Sequence, residues 1–328
     1  MGEINMIDNK PKVSILIPVY NRENLIQPCI ESALAQTYDN IEIIVVDNKS
    51  TDRTWEYCKA YEAKYDKVKV YQNEKNLGPV RNWLQCMKYA TGEYGKILFS
   101  DDLIYETYID ETVSMMKDDV GFVFSNMEIG PERTKGEPSY GYMKKTGFIE
   151  SKEYLIKSLT NEFSLVSPGA ALFRMSDLKN NLMWQKNSIP SPTIKDFAEH
   201  GAGPDLLLYL LTAADYPRVA YVNNVLGLLR AHIGSISISD RKTHYLEKCY
   251  FQARIDCAKE KCSTVFVNYI LINKWIYEIA SNKQFIAYST FIKQYLYADE
   301  WSRYPLKYNL VICTLKKMLG KKLLRLLT

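Results

Sequence analysis

The sequence lacks three features that would restrict its class at once: a long apolar run, a paired cysteine motif and a strong excess of one charge. No window holds about 18 consecutive apolar residues, so no transmembrane helix is expected. Residues 1–12 have neither the basic nor the apolar region of a secretory signal. The seven cysteines form no C-x-x-C pair and several fall at apolar helical positions, which favours reduced core thiols over disulfides or a zinc site.

The weak charge balance points away from nucleic acid as a partner. The formal net charge of +4 is too small to indicate a polynucleotide ligand, and no nucleic-acid-binding motif is present. With 47% hydrophobic and 24% charged residues, the chain has the composition of a globular protein with one large domain and an appendage, or two domains. We expect it to reside in the cytoplasm.

Strand and helix patterns alternate through the first half of the chain. Apolar runs at 13–19, 41–46, 68–71 and 96–99 predict strands, and the segments between them have helical spacing. Strands separated by helices pair in parallel through right-handed crossovers, so we predict an α/β fold with a mostly parallel, doubly wound sheet. Beyond about Ser239 the alternation gives way to helical stretches. We therefore predict an α/β domain over 1–239 and a helical C-terminal region over 240–328.

Two adjacent carboxylates follow one of the predicted buried strands. The run Lys96-Ile97-Leu98-Phe99 leads into Ser100-Asp101-Asp102. Like charges side by side at a strand end must be solvated, hydrogen-bonded or paired with a cation. Mg²⁺ and Mn²⁺ meet that need with oxygen ligands, and ligands of open α/β sheets bind at the carboxyl ends of strands. Taken alone, the segment is better explained as a polar turn after a strand, and the neighbouring motifs change that balance.

Five motifs in order resemble the family 2 glycosyltransferases of GT-A fold. They are Pro11 to Asn21 with Ile30 to Thr37, Glu42 to Asp52, Asn76-Leu77-Gly78 with Arg81-Asn82, Ala90 to Tyr94, and Ser100-Asp101-Asp102. The resemblance is dense over residues 11–125 and looser to about residue 239. It implies a GT-A fold and transfer of a sugar from a nucleoside-diphosphate sugar.

The resemblance also implies a donor-binding set, which comprises Pro18, Tyr20, Asp47, Asn48, Arg81, Ser100 and Asp101. Tyr20 would stack on the nucleobase, although an aromatic lid on the sheet end is an equal alternative. Asp47 would contact the base, and the family's second acidic position holds Asn48, whose amide can still donate to and accept from a uracil edge. Arg81 would reach the donor phosphates unless it is only a helix-surface charge.

The remaining chemistry implied by the resemblance needs a metal and a base. Asp101 would face the donor ribose, and Asp102 would ligate Mn²⁺ or Mg²⁺ bridging the two phosphates, which assists departure of the diphosphate. Asp205 follows a Gly-rich turn and opens an apolar helix, the position of the family's catalytic base. It would also serve as a helix cap, and Asp196 and Glu199 are the alternative carboxylates.

Two further segments extend the prediction. Arg230 to Ser237 contains an R-x-H-x-x-S pattern that resembles a segment of some family members, and the resemblance implies that His232 would reach the metal or the diphosphate. A structural histidine is the alternative, and His200 and His244 have no comparable context. The last fourteen residues, Leu315 to Thr328, place leucines largely on one helical face and basic residues mostly elsewhere. Such a helix suits peripheral contact with an anionic membrane surface, or packing on the protein body or a partner.

Together with these residues, the resemblance implies a metal-dependent, inverting glycosyltransferase. The expected donor is UDP-linked, and the expected acceptor is a glycan or lipid-linked hydroxyl in bacterial surface-polysaccharide synthesis at the inner face of the cytoplasmic membrane. A nucleotidyltransferase is the alternative enzyme, but Tyr20-Asn21-Arg22-Glu23 lacks the Gly-rich, Lys-bearing loop it would need. A non-catalytic sugar-nucleotide-binding or assembly subunit is the alternative from another class.

Overall fold

A computed structural model describes residues 10–133, 141–163, 165–182, 201–231, 245–282, 285–307, 309–311 and 314. The described part contains a mixed sheet of nine strands. They are β1 (Val13–Val19), β2 (Ile41–Asp47), β3 (Val68–Gln72), β4 (Tyr94–Ile97), β5 (Leu103–Ile104), β6 (Val120–Gly130), β7 (Gly147–Glu150), β8 (Ala171–Arg174) and β9 (Arg218–Arg230).

The first four strands form the parallel part of the sheet, in the order β3-β2-β1-β4. Every residue of β1 is buried, because helices cover both faces, as its continuous apolar sequence predicts. The order continues β8-β6-β9-β5, in which β6 and β9 pair in parallel and β8 and β5 run antiparallel to their neighbours. The predicted mostly parallel α/β sheet is confirmed, with antiparallel strands added in its second half.

Helices connect the strands and continue after them. They are α1 (Ile26–Leu34), α2 (Thr54–Lys64), α3 (Pro79–Tyr89), α4 (Tyr108–Met115), α5 (Ser151–Leu159), α6 (Met175–Asn181), α7 (Pro204–Asp215), α8 (Tyr245–Lys261), α9 (Thr264–Asn282) and α10 (Tyr288–Ile292). Among these described helices, none combines the length and the apolar character needed to cross a bilayer.

Helix α7 joins the sheet to the C-terminal helices. Its residues from Pro204 to Ala213 are all buried, which its nearly continuous apolar sequence requires. Leu208 and Tyr209 pack with the sheet, whereas Leu206 and Leu210 pack with residues of α8, α9 and α10. Each leucine contributes about 1.5–3 kcal/mol by burial, so the first residues of α7 are held firmly from both sides.

The C-terminal helices share this core with α7. The sequence predicts a division between the two regions at residue 239. That boundary lies in 232–244, outside the described residues, and stays a prediction, as does the amphipathic helix at 315–328. The six cysteines in the described residues are free thiols, and all but Cys262 are buried. The prediction of core thiols is therefore confirmed for five of them, whereas Cys262 is only partly buried and Cys313 is not described.

Candidate active site

The carboxyl ends of β1, β2 and β4 meet at one edge of the sheet. Val19 is in register with Asp47, and Leu16 is in register with Ile97. The backbone N–H of Leu98 still donates to the Leu16 carbonyl (2.8 Å), although β4 ends at Ile97, earlier than the sequence pattern indicated. The loops that follow these three strands therefore open on the same side, where ligands of parallel sheets bind.

The loops after β1 and β2 are fastened to each other by side chain–backbone hydrogen bonds. Asn21 adopts a left-handed backbone (φ 50°), and its N–H donates to Ser50 Oγ (2.9 Å) while its Oδ1 accepts from the N–H of Thr51 (2.8 Å). The N–H of Arg22 donates to Thr54 Oγ1 (2.7 Å). These contacts fix the loop that presents the half-exposed Tyr20 ring, which is 40% exposed.

The Asp47 carboxylate is fully buried and engaged within the protein. It accepts from the N–H of Ser50 (3.2 Å), from the Ser50 hydroxyl and from Gln72 Nε2 (2.7 Å). Pro18 is also buried, inside β1 and in register with Val46. Both residues shape this edge of the sheet, and their predicted contacts with the donor stay predictions.

Asn48 holds the loop that precedes α3. Its Nδ2 donates to Asn76 Oδ1 (2.8 Å) and the Gly78 carbonyl (3.3 Å), and its Oδ1 accepts from Asn73 Nδ2 and the N–H of Leu77 (2.9 Å each). A side-chain amide has two donor hydrogens and two acceptor positions, so its capacity is used. Reading a uracil edge would require Asn48 to release one of these bonds.

Arg81 lies in the first turn of α3, which begins after Gly78 in a left-handed conformation (φ 82°). Its side chain is half-buried and its Nη1 lies 3.4 Å from the Leu77 carbonyl. The guanidinium is thus beside the loop held by Asn48, at the same sheet edge as Tyr20. Its predicted contact with donor phosphates stays a prediction.

Asp102 is the most perturbed carboxylate at this edge. It is 6% exposed, and its Oδ1 accepts from the backbone N–H of Arg230 (2.9 Å). Burial, with the neighbouring Asp101 carboxylate, raises the pKa of Asp102 to about 8. Ser100 beside it is also buried. A desolvated carboxylate next to a second one favours whatever brings positive charge, a proton or a cation.

Three basic residues surround the acidic turn. Arg230 donates from Nε to the Asp101 carbonyl and from Nη2 to the Leu25 carbonyl (3.1 Å), which ties the end of β9 to the loop after β1. Arg22 Nε lies 4.0 Å from Asp101 Oδ2. Lys96 is fully buried, donates to the Gly169 carbonyl, and has its pKa lowered well below the usual value by burial.

Sequence reasoning gave none of these three residues a role in the site. Arg230 stands in the R-x-H-x-x-S pattern, and Arg22 directly follows the motif after β1. The sequence could have indicated a role for Lys96, because a lysine within a buried apolar strand almost always has a partner. Its Nζ lies 3.9 Å from the centre of the Tyr108 ring and is attracted to Asp102.

Asp205 lies in the first turn of α7, and both of its carboxylate oxygens accept hydrogen bonds. Oδ1 accepts from the N–H groups of Gly203 (2.8 Å) and Leu206 (2.7 Å), and Oδ2 accepts from the hydroxyl of Tyr250 (3.1 Å). Burial raises the pKa of Asp205 to about 7, and these hydrogen bonds oppose the shift. The N-cap residue of α7 is Gly203, so Asp205 is not the cap that one interpretation predicted. Its carboxylate instead accepts from backbone N–H groups at the start of the helix, and its near-neutral pKa suits a general base.

Packing joins the start of α7 to the acidic turn. Gly201 has a left-handed backbone (φ 76°), and a Cβ there would lie 2.7 Å from Cη2 of Trp83. The Trp83 ring packs on Phe99, with centroids 5.2 Å apart, and Phe99 immediately precedes Ser100. Tyr209, one turn after Asp205, donates to the Ser167 carbonyl (2.7 Å). One aromatic layer thus separates the start of α7 from the acidic turn.

Within the described residues, the protein offers too few ligands to complete a metal site. No group of three or more His, Cys, Asp or Glu side chains there could hold a metal ion. The predicted ligand His232 lies outside the described residues, as do the alternative bases Asp196 and Glu199 and the other histidines, His200 and His244. Asp101 and Asp102 nevertheless fit a hard cation, because they offer oxygen ligands and Asp102 is buried and crowded by a like charge.

Comparisons with known proteins identify the family. The family model described as Glycosyl transferase family 2 matches residues 14–182, just over half of the chain. The chain is 35% identical over 115 residues to Glycosyltransferase GlyG of Streptococcus pneumoniae and 35% identical over 150 residues to Putative glycosyltransferase EpsH of Bacillus subtilis. These matches cover 35% and 45% of this chain, and 38% and 43% of the relatives, respectively.

A third relative has a more specific name. The UDP-Glc:alpha-D-GlcNAc-diphosphoundecaprenol beta-1,3-glucosyltransferase WfgD of Escherichia coli is 36% identical over 118 residues, 36% of this chain and 46% of that protein. The chain thus matches less than half the length of each of these three relatives.

Solved structures show the same fold. S. aureus TarS 1-349 in complex with UDP-GlcNAc superposes with a TM-score of 0.60 at 18% identity, over 89% of this chain and 78% of that one. The mannosyltransferase PcManGT from Pyrobaculum calidifontis, in complex with GDP-Man and Mn²⁺, gives 0.50 at 13% identity, over 96% and 89%. The predicted GT-A fold with helices after the sheet is confirmed.

Proposed function

Because this chain belongs to glycosyl transferase family 2, we propose that it transfers a sugar from a UDP-linked donor to a hydroxyl of a glycan or lipid-linked acceptor, with inversion at C1. The observation that carries the proposal is the turn Ser100-Asp101-Asp102. It lies at the edge where three parallel strands end, with Asp102 buried and Arg22 and Arg230 beside it. A nucleoside diphosphate needs such a site, rich in oxygen ligands and basic groups.

In the proposed reaction, Asp205 acts on the acceptor side. The acceptor oxygen bonds to C1 as the bond from C1 to the diphosphate oxygen breaks, and Asp205 takes the hydroxyl proton. A base works best when its pKa is near the operating pH, and the pKa of Asp205 is about 7 because the carboxylate is buried. The hydrogen bond from Tyr250 orients this carboxylate.

Asp102 and Asp101 would hold a divalent cation, with His232 as a further predicted ligand. Mn²⁺ or Mg²⁺ bound there would neutralise the charge that builds on the departing nucleoside diphosphate. Arg22 and Arg230 supply fixed positive charge at the same turn. The fastened loops after β1 and β2 keep the Tyr20 ring in place for the nucleobase.

The names of the relatives support the remaining parts of the proposal. WfgD acts, by its name, on a diphosphoundecaprenol-linked sugar with UDP-Glc, and TarS has been crystallised with UDP-GlcNAc. We propose a similar substrate class for this chain: a UDP-sugar and a glycan or lipid-linked acceptor of bacterial surface-polysaccharide synthesis. Residues 1–239 would carry catalysis, and the basic amphipathic segment at 315–328 would contact the inner face of the cytoplasmic membrane.

A donor screen tests the proposal. UDP-, GDP- and dTDP-sugars are added with and without Mn²⁺, and the melting temperature is measured, because a ligand that binds the folded state raises it by mass action. Metal-dependent stabilisation by a UDP-sugar, followed by release of UDP, is the expected result. Stabilisation without turnover would indicate a non-catalytic binding subunit. Pyrophosphate release from a nucleoside triphosphate and a sugar phosphate would indicate a nucleotidyltransferase.

A further inference from the structure

A large cavity lies among the helices, and its lining includes none of the candidate active-site residues. Its volume is about 1040 Å³, and its walls come from the end of α5, from α8 and α9, and from the segments around Ile286 and Gln294. That volume is at the upper end of the range of about 300–1,000 Å³ seen for small-molecule sites. The proposed reaction, at the sheet edge, leaves it without a role.

The wall of the cavity contains a polar group without a hydrogen-bond partner. Asn273, on α9, is 8% exposed, and its Oδ1 accepts no hydrogen bond from the described part of the chain. A buried acceptor without a donor is destabilising, and an apolar residue of the same shape would be less costly. The amide oxygen is therefore suited to a ligand that brings its own donor, such as a hydroxyl group.

The charges around the cavity balance, which favours a neutral ligand. The lining contains three acidic and three basic side chains, namely Glu162, Glu247, Glu278, Lys248, Arg254 and Lys274. Lys274 is paired with Glu247 and also lies 3.5 Å from Glu278. An anion such as a nucleotide would need an excess of basic groups, which this lining does not have.

The cavity also presents aromatic rings beside its polar groups. Phe251 lines it from α8, and Tyr277, which is 38% exposed, lines it from α9 one turn after Asn273. Buried Arg254 donates from Nε to the Ser158 carbonyl (2.9 Å) and from Nη2 to Asn161 Oδ1 (2.7 Å), which fixes the end of α5 against α8. Aromatic side chains beside amides and carboxylates match a molecule with alternating C–H and hydroxyl surfaces.

We propose that this cavity binds a neutral saccharide, with Asn273 as a hydrogen-bond acceptor and Tyr277 as a stacking surface. The assignment of that saccharide as a part of the acceptor glycan remote from the reacting hydroxyl rests on the proposed function. Saccharide binding itself does not, because it depends only on the residues that line the cavity.

Isothermal titration calorimetry on the full chain tests the proposal with four neutral trisaccharides: chitotriose, cellotriose, laminaritriose and maltotriose. Wild-type protein is expected to bind at least one of them. Asn273→Leu should weaken that binding about tenfold by removing the acceptor, while leaving the melting temperature of the free protein unchanged or higher. Tyr277→Ala should also weaken binding, and Tyr269→Ala, on the same helix but outside the cavity, should not.

The outcomes separate this proposal from the proposed function. Asp102→Asn should lose metal-dependent UDP binding but keep trisaccharide binding, so failure of the donor site leaves the saccharide cavity testable. Binding of none of the four trisaccharides would overturn the inference. Wild-type affinity in both Asn273→Leu and Tyr277→Ala would also overturn it, since the sugar would then bind elsewhere. If Asn273→Leu does not fold, Tyr277→Ala at the more exposed position decides alone.

Discussion

Replacement of Asp205 by asparagine tests two claims: that burial raises the pKa of this carboxyl group, and that the carboxylate is the catalytic base. In the folded protein burial raises the pKa of Asp205 to about 7 from a usual 3.8. Asparagine keeps the shape, and its Oδ1 can still accept from the N–H groups of Gly203 and Leu206 while its amide donates to the Tyr250 oxygen. The substitution therefore removes the titration with little change in packing.

The magnitude follows from the difference in proton binding. Between about pH 5 and about pH 7, folded Asp205 keeps a proton that the unfolded chain has already lost, so stability falls as the pH rises. At about 1.4 kcal/mol per pKa unit, the wild type loses roughly 3 kcal/mol through this group over that interval. Above the folded pKa no further loss occurs. The asparagine variant lacks this titrating group. Its free energy of unfolding, minus that of the wild type, should therefore rise by roughly 3 kcal/mol from about pH 5 to about pH 8.

Urea unfolding followed by tryptophan fluorescence measures this difference, and Trp83 lies beside the start of α7. Other titrating groups, such as Asp102 and Asp256, are present in both proteins and cancel. The same variant should lower kcat for transfer by about 10²–10⁴-fold and leave the affinity for UDP unchanged. Tyr250→Phe removes a hydrogen bond that lowers the pKa of Asp205. This variant should therefore move the acidic limb of the pH–rate profile to higher pH.

Two results would refute this reasoning. A stability difference that stays constant from about pH 5 to about pH 8 would show that burial does not hold the Asp205 proton. Normal transfer by Asp205→Asn would show that another carboxylate is the base, and Asp196→Asn and Glu199→Gln would then be the variants to assay.

Three further predictions concern the donor site, the start of α7 and the C-terminal segment. Asp102→Asn should abolish Mn²⁺-dependent UDP binding without lowering the melting temperature of the free protein near neutral pH, because an amide oxygen can still accept from Arg230 and the variant lacks a buried carboxyl group with a raised pKa; retained metal dependence would contradict the assignment. Gly201→Ala should destabilise the protein by at least about 1–2 kcal/mol, from the left-handed backbone alone, and the added Cβ would also press on Trp83; wild-type stability in urea would refute this. Deletion of Leu315 to Thr328 should leave donor binding intact and weaken binding to anionic vesicles, where each basic residue contributes about 1 kcal/mol; unchanged vesicle binding or loss of folding would assign the segment to the body of the protein.

Local patterns in the sequence were enough to predict the sheet edge and its acidic turn. Apolar runs that end in polar residues mark the strand ends at Val19 and Asp47, and the parallel pairing of β1 with β2 and β4 follows from strand–helix alternation. Asp205 was a candidate base because it follows a Gly-rich turn and opens an apolar helix, which is the position that the family resemblance assigns to the base, and this role stays a prediction. Each of these signals lies within a few residues of the position that it identifies.

Tertiary structure alone decided what these residues contact. Arg230 reaches Asp101 and Asp102 across almost 130 positions of sequence, and Tyr250 reaches Asp205 from another helix. Asn48 was predicted to bind the nucleobase, and its side-chain amide is hydrogen-bonded to the loop before α3. Hydrogen bonds and burial depend on distances between segments far apart in the chain, and so do the raised pKa values of Asp102 and Asp205. The periodicity of the sequence therefore places a carboxylate at the end of a strand or the start of a helix, whereas the segments packed around it determine its protonation state.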